Sequence, residues 1–529
     1  MGSNWIEYKL AEIAILRNGA GIKQQFFSES SIAIPLVKVS NFTSNSVDVN
    51  GLTKVDHEHA QKWISHTLDV EDIVVATVGS WPPNWSSVVG KVVRIPQLAA
   101  GAIQNQNTCS INPKDNMDKD FLYYVLKTDL FINYVINVAQ GSANQARVPV
   151  KKLGEFKFKA PFDIEKQRQL VNVLVNADKK IELNQKTNQT LEQMAQALFK
   201  SWFVDFDPVF DNLLASVDFK LENLETSLPD ELKQKAQRRL AALDSLKNAA
   251  QCKASLSALA HELQIQLPTK EATQAAVQVL GKTAETPVKP NINANPNILA
   301  QHANTHAHFP NEFEHNEQLG WIPKGWSASS VEDEFAVKGG STPSTKNPDF
   351  WEGGEIHWTS PKDLSGNTTK IMLDTSRKIT SAGLKKITSG LLPIDTVLMS
   401  SRAPVGYLAL AKVPVAINQG YIAITDAQTL SSEYTIQWLD SVMDEIKGIS
   451  GGTTFAEISK KTFKGIQLVI PSKKAVEAYT EISKMYYKRI TACVQEINTL
   501  TETRDYLLPK LISGELQIPD VVTDEEIVD

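Results

Sequence analysis

Apolar residues along this chain keep two different rhythms. Between positions 170 and 202 they recur in steps of four and three, at Leu170, Leu174, Ala177, Ile181, Leu191, Ala195, Leu198 and Trp202, with Asn184 and Asn188 on the same seam. Tyr479, Tyr486, Ile490, Cys493, Ile497, Leu500, Leu507 and Leu511 repeat that seam near the C-terminus. Sustained heptad spacing with polar flanks predicts coiled-coil helices. A helix of ~40 residues is ~60 Å long. Each stretch follows its own β-rich region, so the economical arrangement pairs the two helices antiparallel, with a domain at either end. Asn184 and Asn188 either pair and fix the register at a cost in stability, or are solvated where the helices splay.

The β-rich regions say the same thing twice. Residues 139–161 (AQGSANQARVPVKKLGEFKFKAP) lie without a gap on 449–471 (ISGGTTFAEISKKTFKGIQLVIP), placing Gly141 on Gly451, Ala146 on Ala456, Lys151 on Lys461 and Pro161 on Pro471. Upstream, Trp5 matches Trp326, and the glycines Gly19 and Gly21 match Gly339 and Gly340. Residues 34–42 (IPLVKVSNF) resemble 356–364 (IHWTSPKDL), and 72–80 (DIVVATVGS) resemble 395–403 (DTVLMSSRA). Asn105-Gln106 falls on Asn418-Gln419. A repeat of this size predicts two similar domains doing similar work. The expected fold is α+β: two β-rich domains separated by two long antiparallel coiled-coil helices, with a pseudo-two-fold internal repeat. The expected segments are a first domain at 1–162, a central helix at 163–207, a helical insertion and linker at 208–320, a second domain at 321–471, a C-terminal helix at 472–516 and an acidic tail at 517–529. Within the insertion, 217–267 reads as one or two surface helices and 283–311, rich in Pro, Asn and His, as a linker.

Composition changes this picture little. With 42% hydrophobic and 22% charged residues among 529, the chain reads as soluble and multidomain. No apolar run approaches the ~20 residues of a membrane span, and Trp5 and Glu7 argue against a signal peptide. Cys109, Cys252 and Cys493 form no CxxC pair, which fits a reducing cytoplasm. The net charge is −6, but five acidic residues sit in 520–529, and the remainder is near neutral. Charge therefore neither supports nor excludes a nucleic-acid partner.

Candidate chemistry is sparse. No amino-methyltransferase signature is present, and Trp81-Pro82-Pro83-Asn84 has only its prolines. Gly281-Lys282-Thr283 resembles the end of a P-loop, but Ala276 stands where the first glycine is required. His302, His306, His308 and His315 are possible metal ligands, yet they sit without Cys neighbours, as in a solvated linker. A duplicated catalytic domain should show its constellation twice. None recurs, so the chain is expected to be non-catalytic.

Two similar heads on a helical spacer suit a bipartite target, since the geometry joining two modules sets the separation of DNA half-sites. The sequence resembles the specificity subunits of type I restriction-modification systems over nearly its full length. The resemblance rests on LFKSWFVDFDP at 198–208, LLPKLISGEL at 507–516, LGWIPKGW at 319–326 and GSTP at 340–343. It implies two target-recognition domains reading double-stranded DNA and a complex with two modification (methyltransferase) and with restriction (translocase/endonuclease) subunits. It also implies that S-adenosylmethionine, ATP and Mg are bound by those partners and that this chain binds no cofactor and no metal. The 211–311 insertion departs from the family pattern. An adaptor or decoy that assembles through its helices without reading DNA is the alternative.

Base edges in the major groove favour Arg or Lys for guanine and Asn or Gln for adenine. Candidate readers on expected loops are Lys38, Asn41, Asn84, Gln104, Asn105, Gln145 and Arg147 in the first head, and Lys338, Thr342, Lys346, Lys362, Arg402, Asn418 and Gln419 in the second. The pairs Asn105-Gln106 and Asn418-Gln419 recur in heads that should read different sequences, so a structural or phosphate-contacting role competes with base readout. The loop 81–88 (WPPNWSSV) is replaced in the second head by Pro404 beside Arg402 and is a place where readout could differ.

Overall fold

The computed structural model describes residues 5–143, 145–224, 228–264, 305–367, 369–402, 404–451 and 456–516. The linker at 283–304, with His302, the P-loop-like 281–283 and the tail at 517–529 lie outside the described residues. Two compact units divide the chain: Met1–Leu183 with Ile497–Asp529, and Asn184–Glu496. The unit boundary therefore falls inside both long helices, Ile164–Phe199 and Lys473–Ser513.

In the first unit a four-stranded antiparallel sheet runs Ala14–Asn18, Thr108–Pro113, Ile73–Ala76, Val92–Arg94. The continuous apolar run of Ile73–Ala76 suits its central place, buried throughout. A smaller sheet orders Lys54–Val55, Ile34–Val37 and Ile103–Gln104, antiparallel then parallel. Trp5–Lys9 pairs with Lys157–Pro161. Helices Lys119–Lys127 and Asp129–Val138 complete the head. Asp118 caps the first of them, its carboxylate accepting from the Asp120 and Phe121 amides at 3.0 Å each.

The second unit repeats the strand order of both sheets. Phe335–Lys338, Tyr421–Ala427, Val397–Ser400 and Leu408–Ala411 follow the same order, extended by Ile371–Met372. Arg377–Ile379, Ile356–Thr359 and Ala416–Ile417 form the smaller sheet, again antiparallel then parallel. Ser327–Ser330 pairs with Gln467–Ile470. The structure corrects one expected alignment: Glu71 and Asp395 both take left-handed φ, 64° and 67°, so Asp395 matches Glu71 and not Asp72. From there Ala76 matches Ser400, whose carbonyls accept from the Gly90 and Gly406 amides at 2.8 and 3.0 Å.

Within each unit the long helices pack antiparallel. In the first, Arg504 Nη1 meets Asp178 Oδ1 at 2.6 Å while the Tyr124 hydroxyl donates to Asp178 Oδ2 at 2.7 Å. In the second, the Asn184 amide donates to Glu496 at 2.9 Å, and the Tyr487 hydroxyl lies 3.5 Å from Glu192. Asn184 and Asn188 do not pair with each other and are not solvated. Both are buried, and the Asn188 amide has no hydrogen-bond partner among the described residues. The Phe199, Phe203, Tyr434 and Tyr479 rings pack edge to face at 4.8–6.0 Å and join this helix pair to the second head.

The insertion is more ordered than a set of surface helices. Asp207–Ser216 and Asp230–Asp244 share a core that includes Phe210, Leu214, Leu232 and Leu243, and Ala249–Gln264 packs against both helices. Asp211, fully buried, receives Arg239 Nε and Nη2 at 2.7 and 2.8 Å and His306 Nε2 at 2.9 Å. The Asn212 amide donates to the carbonyls of His306 and Phe309 at 2.9 Å each. His306 is thus a core residue and not a solvated linker histidine, and His315 packs edge-on against Trp321 at 5.2 Å.

Candidate nucleic-acid interface

In both heads three loops meet around one buried polar residue. The Thr77 amide donates to the Asn107 carbonyl and its carbonyl accepts from the Val148 amide, both at 2.9 Å. Ser401 does the same with Gly420 at 2.8 Å and Ile458 at 3.0 Å. The first bond of each pair anchors the loop that carries Asn105 or Asn418. The second anchors a hairpin, Gln140–Ser142 with Gln145–Arg147 in the first head and the Gly451–Glu457 bridge in the second. The third loop is the glycine loop. The Ala20 amide donates to the Gln104 carbonyl at 2.8 Å and the Ser341 amide to the Ile417 carbonyl at 3.0 Å. Side chains at Gly19 and Gly340 would place Cβ only 2.0 and 1.8 Å from the Asn105 and Ile417 carbonyl oxygens, which is why glycine stands there.

Backbone bonds therefore fix this edge and leave exposed side chains free to differ between heads. That is the arrangement by which loops on a rigid scaffold carry binding. The Gln145 and Arg147 side chains project from the first hairpin, exposed and without side-chain hydrogen bonds among the described residues. Asn84 is exposed beside them. The Trp81 indole donates to the Ser142 carbonyl at 2.8 Å, which fastens loop 81–88 to the hairpin, and the Asn84 side-chain oxygen accepts from Ser86 at 2.8 Å. Lys91 braces the same loop through the Ser86 carbonyl at 2.6 Å, and burial lowers its ammonium below the ordinary lysine value. In the second head Thr342 donates to Gln419 Oε1 at 2.8 Å, both exposed. Arg402 is half-buried, with its backbone bridged to Glu457. Lys338, Lys346 and Lys362 are exposed, and their ammonium groups have no hydrogen-bond or ion-pair partner among the described residues.

Five expected readers are held by bonds within the head itself. Gln104 is buried in the small sheet, its amide donating to the Arg17 carbonyl at 3.3 Å, and it has no route to a groove. Asn105 and Asn418 close the same turn twice, accepting from the Asn107 and Gly420 amides at 3.1 and 2.8 Å. Asn41 caps the turn after the Ile34–Val37 strand by accepting from the Lys38 amide at 3.0 Å, as Asp363 does for Ser360 at 2.8 Å. Lys38 itself is half-buried, bonded to the Thr53 hydroxyl at 2.6 Å.

The organising residues Thr77 and Ser401 are missing from the expected set. A polar residue ending an otherwise apolar strand in both copies was their signal.

A family model described as the type I restriction modification DNA specificity domain matches residues 2–193 and 323–502, more than half of the chain. The chain belongs to this specificity-domain family. Each matched segment contains one head and much of the helix that follows it. The type I restriction enzyme HindI specificity subunit of Haemophilus influenzae is 26% identical over 406 residues, covering 75% of this chain and 77% of that one. The MjaIX specificity subunit of Methanocaldococcus jannaschii is 38% identical over 156 residues, 29% of this chain and 36% of that one, so the chain spans little over a third of that relative. A solved type I restriction-modification S subunit from M. genitalium covers 96% of each chain at 14% identity with a TM-score of 0.48. Among the described residues of this specificity-family chain, no helix is long and apolar enough to cross a membrane, and no group of three or more His, Cys, Asp or Glu is placed to hold a metal ion.

Proposed function

We propose that this chain is the DNA-reading subunit of a type I restriction-modification complex and recognises a bipartite target, one half-site per head. One observation carries the reading: the edge built around Thr77 is rebuilt around Ser401 bond for bond, while the side chains it displays differ. A common scaffold with divergent loops is what two readers of different half-sites require. In this reading Asn84, Gln145 and Arg147 serve one half-site and Thr342, Arg402 and Gln419 the other. The chain does no chemistry. Modification and restriction subunits supply it, with S-adenosylmethionine, ATP and Mg bound on those partners. Methylation profiling of a genome expressing this chain with a modification subunit should reveal one split motif. Gel shifts of the assembled complex should then prefer a duplex carrying that motif over a scrambled one. Assembly without sequence preference would instead establish an adaptor.

A further inference from the structure

We propose that Lys62 and Lys386 are matched contacts to the DNA phosphate backbone, one in each head, contributing affinity without sequence preference. The inference rests on the DNA-reading function proposed above. The two lysines occupy the same place in the repeat. Each follows a short helix, His57–Ala60 or Ser381–Leu384, and each ammonium lies over a phenylalanine ring, 5.5 Å from the Phe26 centroid and 5.9 Å from that of Phe350. The same backbone bond sets both turns, from the Asp56 amide to the Phe26 carbonyl at 2.9 Å and from the Thr380 amide to the Phe350 carbonyl at 3.0 Å. Both lysines are exposed and neither has a carboxylate partner among the described residues, so their charge is not neutralised. The ring face restrains each ammonium electrostatically while leaving its protons outward.

Both turns are tied to the recognition edge. The Lys386 carbonyl accepts from the Ser341 hydroxyl at 3.1 Å, next to Thr342. In the first head Arg17 donates to the Ser65 and Thr67 carbonyls at 2.6 and 2.7 Å, fastening the Lys62 turn beside Gly19. The adjacent aromatic also carries a cation in each head, Lys38 over Phe27 at 5.0 Å and Arg377 over Trp351 at 3.4 Å. Exposed side chains that differ between the heads suit base edges, and a cation kept in place suits what every duplex shares, its phosphates.

The test uses the full chain assembled with its modification subunit, binding a labelled duplex with the profiled motif and a scrambled one across a salt series. Lys62→Gln and Lys386→Gln should each weaken both duplexes by the same factor, leaving their affinity ratio and the melting temperature unchanged. Each should make the slope of log K against log salt shallower by ~0.9, and the double variant by ~1.8. Lys62→Arg and Lys386→Arg should keep the original slope. A wild-type complex that discriminates between the duplexes, with Gln variants matching its affinity and slope, would sink this inference alone. A loss confined to the motif duplex would overturn it by making the lysines base contacts. A wild-type complex without sequence preference would remove both the function and the inference.

Discussion

Asp211 shows what one buried charge does in this molecule. Burial pushes its carboxyl up, but the hydrogen bonds from Arg239 and His306 outweigh that and hold it below the ordinary carboxylate value. Replacing it by Asn takes one of two carboxylates from the half-buried Arg239 guanidinium, leaving Asp207 Oδ2 at 3.3 Å, and loses charge-assisted hydrogen bonds worth about 1.5–3 kcal/mol. Asp211→Asn should therefore unfold the second unit at a clearly lower denaturant concentration. The pH dependence follows from the direction of the shift. A carboxyl depressed in the folded state contributes fully above its unfolded value of about 3.9, and the contribution disappears as pH falls from there through the folded value. Wild-type stability should drop more steeply than that of the Asn variant below about pH 4, read from denaturant midpoints in an acid series. Asn188 carries the opposite expectation. Its amide is buried without a partner among the described residues, so Asn188→Leu should stabilise the fold by about 1–3 kcal/mol, read as a higher unfolding midpoint. An unchanged or lower midpoint would show that the amide is satisfied.

Among the elements, the helices were the most legible in sequence, because a 3.5-residue apolar period sustained over many turns has few other readings. The repeat was legible for the same reason, being a pattern long enough to exclude chance. What failed was local. The Asp72–Asp395 identity drew the alignment one residue out of register, and only the left-handed φ shared by Glu71 and Asp395 reveals the true match. The candidate readers Gln104, Asn105 and Asn418 have the right chemistry for adenine. Whether an amide faces a groove or closes a turn depends on backbone placement, which composition does not encode. His306 looked solvated because its partner Asp211 lies 95 residues away in sequence. The helices carry their own prediction. Both cross the unit boundary, after Leu183 on one and after Glu496 on the other. One heptad inserted at each place keeps the seam in phase and adds ~10 Å. The methylated motif should keep both half-sites while its gap grows by about three base pairs at ~3.4 Å each. Undiminished methylation at the original spacing would mean that the helices do not set it.

Duplication gives the whole molecule two heads that share the strand order of their two main sheets and differ in what they expose. Each head is closed by pairing its first strand with its last, Trp5–Lys9 with Lys157–Pro161 and Ser327–Ser330 with Gln467–Ile470. Chain entry and exit thus lie side by side, so a head can be exchanged by cutting the chain at two neighbouring points. Replacing 326–471 with the corresponding segment of a family relative would carry both closing strands and the whole edge around Ser401. The donor must keep an aromatic at the position of Tyr434, because that ring packs on Phe199 and Phe203 of the central helix at 4.9 and 4.8 Å. With that contact preserved, the chimera should assemble with the modification subunit as before. Its methylated motif should change in one half only, the half read by the exchanged head, with the gap and the other half as in the parent. Long-read methylation profiling of cells expressing parent and chimera measures all three at once. A motif changed in both halves, or in neither, would mean that the heads do not read independently, and the matched edges around Thr77 and Ser401 would then need another explanation.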